Sequence, residues 1–146
     1  MAIQLAESNL GSGELFLVGI KEHGVYIANK LAGQLKKYFK GRIEIIDLIM
    51  NKKDPGQISL SRDVSLEGKN IVLIDDVSNS GKVLVYALAP LLQQHPAKVE
   101  TVALVERQHK QFPIKLDYVG ISVSTSPNQY IQLDIENDVM TAHLIS

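Results

Sequence analysis

Asp75 and Asp76 stand side by side at the end of the apolar run Ile71-Val72-Leu73-Ile74, and Val77-Ser78-Asn79-Ser80-Gly81-Lys82 follows them. Side chains alternate along a strand, so one carboxylate can face a ligand while its neighbour holds the loop or meets a cation. Ser78, Asn79 and Ser80 bring hydroxyl and amide donors. Gly81 permits close backbone approach. Beyond it Leu84, Val85, Leu88, Leu91 and Leu92 recur at helical spacing, so a helix start aims free N–H groups and a partial positive charge at the loop. These parts suit a phosphate held by backbone amides with a sugar hydroxyl on the acids, as a sugar phosphate requires. The plainer alternative is that the acids end a strand and Ser80 caps a helix.

Other phosphate and hydrolase motifs are excluded. A P-loop needs glycine where Asp76 stands and Ser or Thr where Val83 stands. G-x-G-x-x-G, H-E-x-x-H and G-x-S-x-G do not occur. The chain has no cysteine, which removes disulfides, thiolate metal sites and cysteine nucleophiles and fits a cytoplasmic protein.

The elements that must position these residues alternate between strand and helix. Residues 2–9 read as a short helix or a frayed end, and Gly11-Ser12-Gly13 breaks the chain. Leu15 to Ile20 reads as a buried strand. From Val25 a helix places Ile27, Ala28, Leu31, Leu35 and Tyr38 on one stripe, and Gly41 ends it. Ile43 to Ile49 is a second strand. Asn51 to Gln57 reads as a polar loop with a Pro-Gly turn, and residues 59–62 as an extended stretch. The strand at Ile71 follows, then the helix after Gly81, which stops near His95-Pro96. Val99 to Val105 is the next strand. The C-terminal third is strand-rich, with stretches at Tyr118–Val123, Tyr130–Ile135 and Val139–Ile145. Near-continuous apolar strands alternating with helices predict an α/β fold, a mainly parallel sheet with helices on both faces. The C-terminal stretches are expected to add antiparallel members to that sheet.

Length and charge bound the rest. The chain of 146 residues predicts a single domain spanning 1–146. No apolar run approaches the roughly 18 residues of a membrane span, and the N-terminus lacks the basic and apolar segments of a secretory signal. A net charge of −1 gives no global attraction to nucleic acid or anionic lipid. Lys36, Lys37, Lys40 and Arg42 crowd one stretch, and Arg107, His109, Lys110 and Lys115 another. Each is a solvated surface or an anion or RNA face.

Residues 71–83 resemble the phosphoribosyl-pyrophosphate signature of type I phosphoribosyltransferases: an apolar run, two acids, then Val, two variable positions, Ser or Thr, and Gly. Leu17-Val18-Gly19-Ile20-Lys21-Glu22-His23-Gly24-Val25-Tyr26-Ile27-Ala28 resembles the pyrophosphate loop of one branch, the pyrimidine-operon attenuation regulators with uracil phosphoribosyltransferase activity. Val105 to Gly120, with Ser124-Thr125-Ser126 after it, resembles the same branch. The resemblance runs from about residue 15 to the end.

It implies a parallel-sheet core with a hood over the site, and transfer of ribose 5-phosphate from phosphoribosyl pyrophosphate to a nucleobase, with uracil as a candidate and UMP the product. Asp75 and Asp76 would be the catalytic acids. They would hold the ribose hydroxyls directly or through Mg²⁺, which takes few carboxylates and fills its shell with substrate oxygens and water. Val77, Ser78, Asn79, Ser80, Gly81 and Lys82 would wrap the 5-phosphate. Lys21, Glu22, His23 and Gly24 would form the pyrophosphate loop. Arg107, His109 and Lys110 match a segment near the base pocket, which also contributes to RNA binding in the branch's regulators. The alternative function is thus a nucleotide-sensing, RNA-binding regulator of pyrimidine genes with little catalysis. Such proteins commonly form homodimers.

Some positions depart from the pattern. His23 stands where the loop usually has Arg, Val83 replaces the signature's last Thr, and Gln108 replaces a glycine. The long hairpin expected after the second strand is reduced to a short polar linker, and Arg62-Asp63 is the nearest substitute for its Arg-Asp pair.

Overall fold

The apolar runs form the middle of one sheet in the computed structural model, which describes residues 1–51 and 53–146. Lys52, part of the expected polar loop, lies outside the described residues. The elements are α1 (Ala2–Ser8), β1 (Glu14–Ile20), α2 (His23–Leu35), β2 (Arg42–Asn51), β3 (Asp54–Leu60), β4 (Asn70–Ser78), α3 (Lys82–Leu92), β5 (Lys98–Arg107), β6 (Tyr118–Val123), β7 (Tyr130–Glu136) and β8 (Val139–Ile145). The main sheet has six strands in the order β3-β2-β1-β4-β5-β6. All neighbours in it are parallel except β2 and β3.

Strand alternation divides the core in two. Leu15 and Leu17 of β1 and Val72 and Ile74 of β4 face Leu5 of α1 and Ile27, Leu31 and Leu35 of α2. Phe16, Val18 and Ile20, with Ile71 and Leu73, face Leu84, Ala87 and Leu91 of α3. Both faces of the central strands are therefore covered, which is why their sequences are apolar without interruption. Full burial of one such Leu or Ile contributes roughly 1.5–3 kcal/mol.

The strand order also locates the ligand crevice. The chain leaves β1 through α2 and returns as β2 on one side, whereas β4 lies on the other side of β1. The direction of winding reverses between β1 and β4, and ligands of open α/β sheets bind at the carboxyl ends beside such a reversal. Residues 21–24 and 75–81 leave those two ends.

Three expectations need correction. The C-terminal stretches add no antiparallel strand to the main sheet: β6 joins it parallel to β5, and β7 and β8 form a separate two-stranded sheet. The antiparallel member is β3. Its pairing with β2, from Leu48 opposite Leu60 to Asn51 opposite Asp54, turns the expected polar linker into a hairpin. Pro55 and Gly56 read as a turn yet lie in β3, and an edge strand tolerates proline because its outer side has no neighbour demanding an N–H. The helix α2 stops at Leu35 rather than running to Gly41. Tyr38 is consequently exposed, and Phe39 is the residue that turns inward.

The α3 helix ends at Leu92, two residues past Pro90, and turn bonds carry the chain to His95 in the left-handed region at φ 55°.

Candidate functional site

β4 runs past both acids to Ser78, so Asp75 and Asp76 are strand residues on opposite faces. Asp75 is buried and lines a cavity of about 190 Å³ whose wall continues through Val77 to Leu84. Its Oδ1 accepts the Asp76 N–H at 2.9 Å. Asp76 faces the α2 side. Its Oδ1 accepts the Val77 N–H at 2.7 Å, and its Oδ2 lies 2.8 Å from His23 Nδ1.

The loop between β4 and α3 is shaped by Gly81, which has φ 85° and precedes the first turn of α3. That conformation is cheap only for glycine. A Cβ there would also lie 2.5 Å from Ile114 Cγ2. The segment after β5 closes on the same loop, since Gln111 and Phe112 donate their N–H groups to the Ser80 carbonyl at 3.0 and 3.1 Å. The loop is thus held from outside while α3 presents its amino end to the cavity.

The three polar side chains of the loop have different fates. Ser80 Oγ accepts the Lys82 N–H at 3.2 Å, but the N-cap of α3 is Gly81 and no side chain caps the helix, so Ser80 is not the cap expected from the sequence. Asn79 is engaged with β7: its Nδ2 donates to the Ile131 carbonyl at 2.9 Å, and its Oδ1 accepts the Ile131 N–H at 2.8 Å. Ser78 is buried, and its Oγ has no hydrogen-bond partner among the described residues. Lys82 is exposed, its Nζ 5.9 Å from the Tyr86 ring centre.

On the β1 side, Lys21 and Glu22 are exposed and joined by a cis peptide bond. His23 opens α2, and Gly24 follows it. A Cβ on Gly24 would sit 2.6 Å from the Ile74 carbonyl oxygen. The absence of a side chain there lets α2 begin against the end of β4 and brings His23 onto Asp76.

Arg107, His109 and Lys110 do not form one basic face. Arg107 is buried, with one terminal nitrogen 3.3 Å from the Pro127 carbonyl and Nε unpaired among the described residues. Its burial removes it from the solvated surface. Lys110 Nζ is bound to Glu106 at 2.7 Å and to the Arg107 carbonyl at 3.0 Å. His109 is exposed. Arg62 pairs with Glu44 near the start of β2 and donates to the Ile45 carbonyl, at the end of the sheet remote from the cradle.

A roof over the site was not anticipated residue by residue. The β7–β8 hairpin lies across the loop, and a second cavity of about 320 Å³ opens between them, lined by His23, Asp76, Val77 and Asn79 below and by residues 130–134 above. The hairpin's turn, Asn137-Asp138, has both residues at positive φ, as a two-residue type I′ connection requires. Asp138 reaches α2, bonding Lys30 Nζ at 2.7 Å and the Tyr26 hydroxyl. The Lys30 bond, then the Tyr26 bond, holds the Asp138 carboxyl below its ordinary pKa. The Asp138 bond in turn raises Tyr26 and Lys30 above theirs. An Asn-Asp pair between alternating stretches signals the turn, but nothing local to it signals Tyr26 and Lys30.

The acids fit a hard divalent cation by donor chemistry. Among the described residues no group of three or more His, Asp or Glu side chains is arranged to hold one alone, so either acid, each lining its own cavity, would hold it only together with substrate oxygens. No described helix is long and apolar enough to cross a membrane.

Comparison with known proteins agrees with this geometry. The phosphoribosyl transferase domain family matches residues 1–137. The chain is 33% identical over 145 residues to the bifunctional protein pyrR of Enterococcus faecalis, across 93% of this chain and 82% of that protein. It is also 33% identical over 147 residues to the bifunctional protein PyrR of Pelotomaculum thermopropionicum, across 93% and 81%. The hypoxanthine phosphoribosyltransferase of Trypanosoma cruzi has the same fold, with a TM-score of 0.77 at 18% identity, over 89% of this chain and 75% of that one. The chain belongs to the phosphoribosyl transferase domain family.

Proposed function

We propose that this protein binds phosphoribosyl pyrophosphate and transfers its ribose 5-phosphate to a nucleobase, with uracil the first candidate, in the cytoplasm. The observation that carries the reading is the cradle at the end of β4, where the left-handed Gly81 and the start of α3 face a cavity walled by Asp75 and residues 77–84. Backbone N–H groups there suit the 5-phosphate. Asp75 and Asp76 suit the ribose hydroxyls. Lys21 to Gly24, at the end of β1, suit the pyrophosphate, with Lys21 supplying charge. The cavity beneath the β7–β8 hairpin suits the base.

In this reading the C1′–O bond to pyrophosphate breaks, a ring nitrogen of the base bonds to C1′, and the proton that nitrogen carried passes to the departing pyrophosphate or to water. The positive charge that develops on the sugar is stabilised by fixed carboxylates and dipoles, the largest contribution such a site makes. A bound Mg²⁺ would neutralise charge on the pyrophosphate and help orient the ribose. The hairpin covers one side of the slot above the sugar. The test is Mg²⁺-dependent release of pyrophosphate from phosphoribosyl pyrophosphate with a panel of bases. No turnover with any base by folded protein would overturn the reading.

A second role, nucleotide-sensitive RNA binding, is favoured by one observation. Lys36, Lys37 and Lys40 are exposed just beyond α2, and among the described residues none has a carboxylate within ion-pair distance. Binding through them would be salt-sensitive. A homodimer would draw on the apolar side chains exposed on β6 and β8, Ile121, Val139, Met140 and Leu144.

A further inference from the structure

Asn79 belongs by position to the phosphate loop, but its side chain is spent elsewhere. The amide forms a two-bond ring with the backbone of Ile131, donating to its carbonyl at 2.9 Å and accepting from its N–H at 2.8 Å. Ile131 is buried in β7, and its neighbours 130 to 134 make the upper wall of the cavity proposed for the base. Asn79, Val77, Asp76 and His23 make the lower wall. One side chain therefore ties the two walls of the slot together, 52 positions apart in sequence.

The far end of the hairpin is tied independently, through Asp138 to Lys30 and Tyr26. Between the clamps the roof is held at both ends. They differ in setting. The Asp138 clamp is exposed, whereas the Asn79 ring is partly buried, where a lost partner leaves a desolvated amide or peptide group unpaired.

We infer that Asn79 is a positioning residue for the base: it fixes the height of the hairpin above the sugar-phosphate loop, and it is not itself a phosphate ligand. This rests on the proposed phosphoribosyl transfer and deepens it. The side chain is suited to the task because an amide has a donor and an acceptor on one rigid plane, matching the N–H and C=O of one extended residue. A carboxylate can only accept, and an apolar side chain does neither. A ligand that touches only the loop should be indifferent to Asn79, whereas one that also fills the slot should not.

The experiment compares two ligands on three proteins. Wild type, Asn79→Leu and Asn79→Asp are titrated calorimetrically with ribose 5-phosphate and with UMP, and thermal melting monitors the fold. Ribose 5-phosphate affinity is expected to stay within about twofold, while UMP affinity falls about tenfold or more in Asn79→Leu and by less in Asn79→Asp, which keeps one of the two bonds. Parallel loss of both ligands would make Asn79 a phosphate ligand, and no loss of either would make the ring inert; each result overturns the inference. If Asn79→Leu does not fold, Asn79→Asp decides alone. Failure of the wild type to bind either ligand would instead overturn the proposed function on which the inference depends.

Discussion

His23 Nδ1 lies 2.8 Å from Asp76 Oδ2, and this contact joins the loop after β1 to the acid pair at the end of β4. Asp76 is mostly buried and His23 only partly so. Removing the imidazole in His23→Ala should lower stability by about 0.5–1.5 kcal/mol, the net worth of one hydrogen bond. It should weaken both phosphoribosyl pyrophosphate and UMP, because His23 belongs to the loop proposed for pyrophosphate and also lines the cavity proposed for the base. Calorimetric titration of both ligands checks this. Unchanged affinity for both ligands would mean that the contact serves only the fold.

Asp76→Asn separates charge from shape. The amide oxygen can still accept the Val77 N–H that Asp76 Oδ1 holds at 2.7 Å, so the local backbone has no reason to move. What disappears is the negative charge offered to ribose hydroxyls and to a cation. Charged hydrogen bonds contribute about 1.5–3 kcal/mol, so affinity for phosphoribosyl pyrophosphate with Mg²⁺ should fall roughly 10- to 100-fold. The melting temperature should fall no further than in His23→Ala, because the amide nitrogen that takes the place of Oδ2 cannot accept from His23. Unchanged affinity would remove Asp76 from the ribose site.

The cradle was legible in the sequence because its parts are contiguous. Strand, acids, loop, glycine and helix follow one another from residue 71 to 92, and each is set by local rules of period and turn chemistry. The three C-terminal stretches were legible for the same reason, through alternation, yet their sheet was not. Whether a strand joins the main sheet or pairs with its neighbour depends on contacts that local pattern does not encode. The same gap hid Asn79 with Ile131, His23 with Asp76, and Asp138 with Tyr26 and Lys30. Arg107 was hidden differently: a cation in a basic stretch reads as surface, and only the packing of the segment after β5 buries it.

The first half of β3 is hidden from local pattern because Pro55 and Gly56 favour turns, and only an edge strand, with one side unpaired, accommodates proline; its end at Ser59 and Leu60 falls in the stretch expected to be extended. Its consequence is functional. Ile58 and Leu60 pack against the core face that α3 covers, so this hairpin lies docked beside α3, and the cover over the site comes from β7 and β8.

Gly81→Ala should impair both fold and cradle. At φ 85° an alanine carries about 1–2 kcal/mol of backbone strain. Its methyl would also meet Ile114 Cγ2 at 2.5 Å, and overpacking of that kind adds about 1–3 kcal/mol. Urea unfolding should show the sum, and ribose 5-phosphate affinity should fall. The double variant Gly81→Ala with Ile114→Ala relieves the overlap but not the strained φ, so it should regain only part of the affinity. Full recovery would mean that the loop's conformation does not matter.

The opposite end of the sheet supplies a control on pH. Glu100, near the start of β5, is buried. It accepts from the Tyr118 hydroxyl at 2.7 Å, Ser8 Oγ at 2.8 Å and Asn9 Nδ2 at 2.9 Å, and pairs with Lys98 at 3.2 Å. Burial pushes its pKa up, but these bonds outweigh burial and hold it below the ordinary glutamate value. A carboxyl depressed on folding adds stability that is present above its unfolded pKa, near 4.3, and is lost as pH falls through the lower folded value. Wild type should therefore lose stability through that acid range, and Glu100→Gln should lose less there. At pH 7 the variant should be weaker by about 1–3 kcal/mol, since one amide cannot serve the same set of donors. Because the network ties α1 to β5 and β6 at the end of the sheet remote from the acids, UMP affinity at neutral pH should not change. Urea unfolding at pH 7 and pH 4, with UMP titration at pH 7, tests all three statements. An acid slope identical in both proteins would show that Glu100 does not carry the linkage.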